Sequence, residues 1–321
     1  MNADDAHYSR VAALLGRGRV VPFLGAGANL TDRPETGSPT PGSVAPTGYE
    51  LAGTLAERSH FPDDDRDLLR VAQFVDAVLG EGELYSWLHD VFDVDYQTTS
   101  LHHFLSRLPA FLRDAGEAPL LLLTTNYDDL IERALTAAGE SYDVVWYEAK
   151  RGLMQGRFFH RLPNGNVDAI EIPNEYLGEY EGQVLAERTV ILKLHGAIDR
   201  VNARRDSYVI TEDSYIDYLV GGDVGEQIPS SLIERMEDTH FLFLGYSMRD
   251  WNLRVILKRI WGARQLDLKS WAVQRAPTDE GAREVEEALW RDRGDVDLLY
   301  VPLKEYVARL QEKVLGPDTG A

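Results

Sequence analysis

Four short apolar runs stop abruptly at glycine or a polar residue: Val20 to Leu24 before Gly25, Leu120 to Leu123 before Thr124, Val190 to Leu194 before His195-Gly196, and Phe241 to Leu244 before Gly245. A continuous apolar run of this length has no polar face to turn to water, so it reads as a strand covered on both sides, the situation of a parallel sheet. Helical patterns separate the runs, as at Leu130, Ile131, Ala134 and Leu135, and supply the crossovers that parallel pairing requires. The recurrence predicts an α/β fold, a Rossmann-like doubly wound parallel sheet, with its polar strand ends along one edge. Open sheets of this kind bind ligands at that edge.

The remaining segments fit around such a sheet. Val11, Leu14 and Leu15 predict a lead-in helix stopped by Gly16-Arg17-Gly18. Thr31 to Gly48 is rich in Pro, Gly, Ser and Thr and reads as a mobile loop beside the first glycine turn, placed to act as a lid. From Glu50 to Phe111 the pattern is helical, with Asp63-Asp64-Asp65 after Pro62 read as a helix start. We therefore expect a core of residues 1–30 and 119–321, with 31–118 as mobile loop and all-helical insertion. His102 and His103 fall in the insertion and read as packed or solvent-exposed, since no acidic partner lies at metal-ligand spacing. Thr125 or Asn126 would cap the helix after the second strand, with Asp128 and Asp129 completing a box. Tyr142 to Tyr147 reads as a strand, and Lys150 to Glu187 as irregular chain with either a hairpin or an excursion from the sheet at Pro163 to Ile170. Tyr208-Val209-Ile210 reads as a strand before a capped helix, and Leu232 to Met236 as helix. A helical pattern continues from Trp251 to Ile260; Trp271 to Val273 and Leu298 to Val301 read as strands, and Val307 to Val314 as a closing helix.

Composition narrows the chemistry. A formal net charge of -20 over 321 residues argues against a nucleic-acid surface, which needs clustered Lys and Arg. An anionic ligand must be held locally. With no cysteine there is no disulfide, no thiol nucleophile and no Cys-based zinc ribbon. The start, Met-Asn-Ala-Asp-Asp, has no signal-peptide character, and no run approaches membrane-spanning length, so the expectation is a soluble, cytoplasmic protein. Gly25-Ala26-Gly27 admits two readings. It is either a tight turn after a buried strand or a loop where Gly27, lacking a Cβ, lets a pyrophosphate approach backbone N–H groups.

Four motifs in order, Gly25-Ala26-Gly27-Ala28-Asn29, Thr124-Thr125-Asn126-Tyr127-Asp128, His195-Gly196 and Gly245-Tyr246-Ser247, resemble those of the sirtuin (silent information regulator) superfamily. Within it they are most similar to the zinc-free bacterial branch of NAD-consuming antiphage-defence effectors. Two features of the deacylase sirtuins are missing: the Pro-Asp-Phe-Arg segment, where only Thr31-Asp32-Arg33-Pro34 stands, and the four-cysteine zinc module. Asn29 also replaces the family's serine.

The resemblance implies an NAD+ glycohydrolase giving nicotinamide and ADP-ribose, an abortive-infection effector gated by oligomerisation or a partner. It implies that Asn126 holds ribose hydroxyls or the attacking water, that Asp128 contacts the nicotinamide carboxamide, and that His195 is the general base. Backbone N–H groups at Gly25, Ala26 and Gly27 would take the pyrophosphate, with Asn29, Thr124 and Gly245 lining the cofactor site and Ser247 reaching phosphate or ribose. NAD+ is then a substrate, with no metal. A homo-oligomer is implied, as is a defence partner such as an ATPase, an Argonaute or a sensor. Direct nucleic-acid or membrane binding is not. The alternatives are an NAD-dependent protein deacylase or ADP-ribosyltransferase, and a non-enzymatic NAD or ADP-ribose sensor.

Overall fold

The computed structural model describes residues 3–34, 42–221, 224–237, 239–246, 248, 253, 257, 268–277, 279–294 and 296–316. Its strands are β1 (Val20–Leu24), β2 (Leu121–Thr124), β3 (Asp143–Tyr147), β4 (Phe158–Arg161), β5 (Val167–Ile170), β6 (Val190–Lys193), β7 (His240–Leu244), β8 (Ser270–Gln274) and β9 (Val296–Tyr300). They form one sheet in the order β5-β4-β3-β6-β2-β1-β7-β8-β9. Neighbours from β3 across to β9 run parallel, with Phe23 of β1 between Leu123 of β2 and Phe243 of β7. The α/β, doubly wound, Rossmann-like reading therefore holds for the sheet's main body.

The four apolar runs became β1, β2, β6 and β7, and each strand is buried along its whole length. Alternate side chains feed two layers. Val21 and Phe23 join Leu123, Leu192 and Phe243 on one face, against Tyr218, Leu232 and Met236 from α8 (Glu212–Val220) and α10 (Ser230–Glu237). Val20 and Leu24 join Leu122 and Leu244 on the other. That face is covered by α1 (Ala3–Leu15), α5 (Ser100–Ser106), α6 (Leu108–Ala115) and α12 (Leu303–Leu315), through Val11, Phe104, Leu112 and Tyr306. Helices α2 (Gly48–Ser59), α3 (Leu68–Leu79) and α4 (Glu81–Phe92) build a separate cluster with Ile198, Tyr208 and Ile210. Arg200 ties this part to the sheet, reaching Asp93 at 2.7 Å, Asp95 at 2.9 Å and Asp129 at 3.4 Å. The remaining helices among the described residues are α7 (Leu130–Ala137), α9 (Val224–Gln227) and α11 (Glu280–Gly294).

Three local expectations are corrected. Residues Asp63 to Asp65 precede the helix rather than start it: α3 begins at Leu68, capped by Asp67, whose side chain accepts from Arg70 N at 3.1 Å. Tyr208-Val209-Ile210 is buried but joins no strand. Its backbone bonds to the chain after β6 (Val209 N to His195 O, 2.9 Å); Tyr208 and Ile210 serve the α2–α4 cluster, while Val209 points into the sheet core. Within 150–187, read as irregular, the hairpin alternative holds and the excursion does not: the β4–β5 hairpin pairs antiparallel onto β3 and extends the sheet edge. Most of the helical pattern from Trp251 to Ile260 lies outside the described residues, apart from the buried Leu253 and Leu257.

The order of strands places β1 between β2 and β7, and the winding reverses between β1 and β7. That is the switch point where strand-end loops part and leave a crevice. Here the two glycine loops lock together. Gly25 N donates to Leu244 O at 3.0 Å and Gly27 N to Gly245 O at 2.9 Å. A Cβ on Gly245, at φ +75°, would lie 2.2 Å from Ala28 N; one on Gly27 would lie 2.7 Å from Gly245 O. Gly139 has the same backbone conformation, φ +74°, with nothing within 4 Å of its would-be Cβ. Gly139→Ala should therefore cost about 1 kcal/mol, the left-handed backbone penalty alone. Gly245→Ala should cost a further ~1–3 kcal/mol for the overlap, read as a larger drop in denaturant midpoint. Equal costs would show that the loops separate freely.

Candidate active site

Beyond the carboxyl ends of β1, β2 and β6 lies a cavity of about 230 Å3. Its wall carries Ala26 and Asn29 from the first glycine loop, Asn126 and Asp128 from the loop after β2, His195 after β6, and Tyr246 after β7. Residues more than 160 positions apart in sequence meet here because parallel strands deliver all their carboxyl ends to one edge.

Side-chain cross-links hold the loops together. Thr124 Oγ1 donates to Leu24 O at 3.0 Å and accepts from Asn126 N at 3.0 Å, so Thr124 fastens β2 to β1 and is not among the cavity's lining residues. Asn126 Nδ2 donates to Gly25 O at 3.1 Å, which leaves its Oδ1 to face another group. Asn29 Nδ2 donates to Asp128 Oδ2 at 2.7 Å, and Leu130 N donates to Asp128 Oδ1 at 3.1 Å. Both Asp128 oxygens are thus engaged, while Asn29 Oδ1 is buried with no hydrogen-bond partner among the described residues. The capping expectation is corrected here: α7 starts at Leu130, and Asp128, rather than Thr125 or Asn126, satisfies its first amide.

His195 is the second polar group without a partner, through Nε2. Its ring packs edge-on against Tyr215 and Tyr218 of α8, with centroids 5.3 and 5.4 Å away. Removal from water disfavours the imidazolium and pushes its pKa down from 6.5 to about 3. The histidine is a neutral imidazole able to accept a proton. The following Gly196, at φ +90°, turns the chain where a Cβ would collide with Ser207 O at 2.1 Å.

The glycine loop differs from expectation in one respect. Of the three amides expected to bind pyrophosphate, those of Gly25 and Gly27 already donate to the β7 loop, and that contact is why side chains are excluded there. Ala26 N, at the start of the 3-10 turn Ala26–Leu30, has no protein acceptor among the described residues. Gly27 and Gly245 line a second cavity of about 920 Å3, with Gln274, Arg275, Tyr300 and Lys304 at the ends of β8 and β9. Tyr246 borders both cavities, and its hydroxyl meets Thr125 Oγ1 at 2.6 Å. Ser247 lies outside the described residues.

Sequence reasoning missed Tyr246, Tyr215 and Lys193. Lys193 is fully buried beneath the Asn126–Asp128 loop, with Nζ 2.7 Å from Glu132 Oε1. A lysine inside an otherwise apolar strand run was the available signal, since lysine is buried only when paired. Among the described residues no group of three or more histidine or acidic side chains could hold a metal ion, and no helix is long and apolar enough to cross a membrane.

A doubly wound sheet with interlocked glycine loops at its switch point and a histidine after β6 on the same edge places this chain among the Rossmann-like α/β proteins. The chain belongs to the SIR2-like domain family, whose model matches residues 120–295. It is 26% identical over 242 residues to defense-associated sirtuin 2 of Bacillus subtilis, covering 75% of this chain and 19% of that protein. It is 29% identical over 226 residues to NAD(+) hydrolase ThsA of Acinetobacter baumannii, covering 68% and 37%. With NAD(+) hydrolase ThsA of Enterococcus faecium it shares 27% over 237 residues, covering 73% and 40%. The matched region thus spans two-fifths or less of these relatives.

Because His195 is held neutral, the unfolded chain takes up its proton first as pH falls. Stability should therefore decline from about pH 6.5 toward pH 3. One such proton is worth about 1.4 kcal/mol per pH unit over that window. His102, pushed down to about 4 mainly by burial, acts in the same direction. Denaturant unfolding at pH 7 and pH 5 should show His195→Gln with a shallower acid loss than wild type; an equal loss would mean His195 titrates normally.

Proposed function

We propose that this chain cleaves the N-glycosidic bond of NAD+ by hydrolysis, releasing nicotinamide and ADP-ribose. The observation that carries this reading is the convergence of Asn126, Asp128 and an unpaired, neutral His195 on one cavity beside the glycine loop. The names of the ThsA relatives, NAD(+) hydrolases, support it. In the reaction the C1′–N bond breaks with its electron pair leaving on neutral nicotinamide, and a ribosyl oxocarbenium forms. Water attacks C1′ and its proton passes to His195, directly or through a ribose hydroxyl. Asn126 Oδ1 orients the water or the ribose.

The adenosine half would occupy the larger cavity across the interlocked glycines, with Ala26 N toward the phosphates. Of the Asn29–Asp128 pair, Asn29 Oδ1 is the acceptor left for the carboxamide N–H. Residues 1–30 and 119–321 form the NAD-binding core in this reading, and 31–118 caps it. Tyr215 and Tyr218 pack over His195, whose Nε2 has no exposed surface, so substrate entry requires that side to part. This accords with an effector that depletes cytoplasmic NAD+ in antiphage defence and is held in check until oligomerisation or a defence partner opens it.

The test is nicotinamide release from NAD+ by purified protein without any acceptor. Asn126→Ala and His195→Ala should each lower the rate by about two to four orders of magnitude, with native folding of each variant confirmed by circular dichroism. Release that depends on an acyl-lysine or protein acceptor would point instead to a deacylase or ADP-ribosyltransferase. Tight NAD+ binding without turnover would point to a sensor, and neither binding nor turnover would overturn the reading.

A further inference from the structure

Lys193 ends β6, in register with Thr124 of β2 and Trp146 of β3, and it is among the largest side chains removed entirely from water. Its ammonium has three acceptors. It donates to the carbonyl of Asp128, lies 3.4 Å from that of Tyr127, and reaches Glu132 Oε1 of α7 at 2.7 Å. Glu132 is buried as well, and its second oxygen has no partner among the described residues.

Stability is a poor explanation for this pair, because replacing a buried ion pair by apolar side chains of like volume is often neutral or stabilising. What the pair does is geometric. Residues 125–129 are neither strand nor helix. Ile198 N holds the Tyr127 carbonyl and Arg133 N that of Asp129, each at 2.9 Å, whereas among the described residues the Asp128 carbonyl is held by Lys193 Nζ. The lysine thus fixes the one carbonyl between these two backbone bonds, directly beneath the cavity, and this orients the stretch that presents Asn126 and Asp128 above it. Glu132 neutralises the ammonium, so a cation developing at the cavity would meet little net repulsion from below.

We propose that Lys193 is a positioning residue. By gripping the Asp128 carbonyl it sets the Asn126–Asp128 loop and so governs which nucleophile captures the ribosyl cation. The inference rests on the NAD-cleaving reading above. Water captures the cation at C1′ to give ADP-ribose, and methanol captures it to give the 1-O-methyl derivative. Each releases one proton, and nicotinamide leaves in both cases. A tightly held Asn126 favours the oriented water.

The experiment measures the ratio of methanolysis to hydrolysis of NAD+ in dilute methanol, for wild type, Lys193→Met and Lys193→Met/Glu132→Met. The ratio reports only on molecules that turn over, so partial misfolding lowers the rate without moving it. In the variants kcat should fall roughly a hundredfold and the ratio should rise about threefold or more, with KM little changed. A ratio equal to wild type, with activity lost only in proportion to the folded fraction, would reduce Lys193 to a structural ion pair and overturn the inference. Absence of NAD+ cleavage by the wild type would instead overturn the reading beneath it, and the inference with it.

Discussion

The close approach of the β1 and β7 loops at the switch point is the constraint on which the rest depends. Two parallel strands can leave a crevice at their carboxyl ends only if the chain above them turns away at once, and here both turns are made by glycines touching backbone to backbone. That contact divides the edge into two cavities, one over β2 and β6 and one over β8 and β9. It also fixes Gly25 O, the acceptor for Asn126, and therefore the position of the loop after β2. A side chain at Gly27 or Gly245 would separate the loops and loosen both cavities together.

The main body of the sheet was legible because strands buried on both faces leave an unmistakable trace, a run of apolar residues without alternation. The same criterion misread Tyr208-Val209-Ile210, whose apolar character comes from burial on two sides, Tyr208 and Ile210 against α2–α4 and Val209 in the sheet core, rather than from pairing. Periodicity reports burial, and burial has more than one source. The β4–β5 edge was only half visible, since Phe159 and Arg161 alternate with buried neighbours on a strand with a partly wet face. Cap positions failed for a different reason: Asp128 was read as completing a box for Thr125 or Asn126, but one of its oxygens itself takes the Leu130 amide two residues on, and the other answers to Asn29, a tertiary contact that no local pattern encodes.

The site itself was legible as a set of strand-end motifs, whereas the interactions that organise it were not. Asn126, Asp128 and His195 could be named from strand ends and from resemblance. That Gly25 and Gly27 spend their amides on the β7 loop, and that Lys193 underlies the Asn126–Asp128 loop, depends on distances between segments over sixty residues apart. Under the proposed reading, a chain of net charge -20 has to meet an anionic ligand with local donors. Ala26 N at the loop and Arg275 at the second cavity are donors of that kind, whereas Lys304 there already pairs with Asp32 at 3.2 Å. Arg275 lies on the side of the glycine contact away from His195, so in this reading attraction for phosphate is separated from the place where positive charge would develop on ribose.

The unpaired atoms show what this arrangement is for. A buried polar atom without a partner costs about 1–3 kcal/mol. Two of them, His195 Nε2 and Asn29 Oδ1, belong to residues on the wall of one cavity. Folding alone would favour a leucine at either position, as it does at Leu51 and Leu68 in the same wall. Asn29 Oδ1 is an acceptor on an amide whose nitrogen is committed to Asp128, and His195 Nε2 is an acceptor in the Nδ1–H tautomer of the neutral imidazole, the tautomer a general base requires. A ligand that satisfies them must bring hydrogen-bond donors, and a carboxamide N–H2 and a ribose hydroxyl or water are donors of the required kind. Under the proposed reading, the energy withheld from folding at these two atoms is returned when substrate enters, so binding favours the conformation in which Tyr215 has moved off His195.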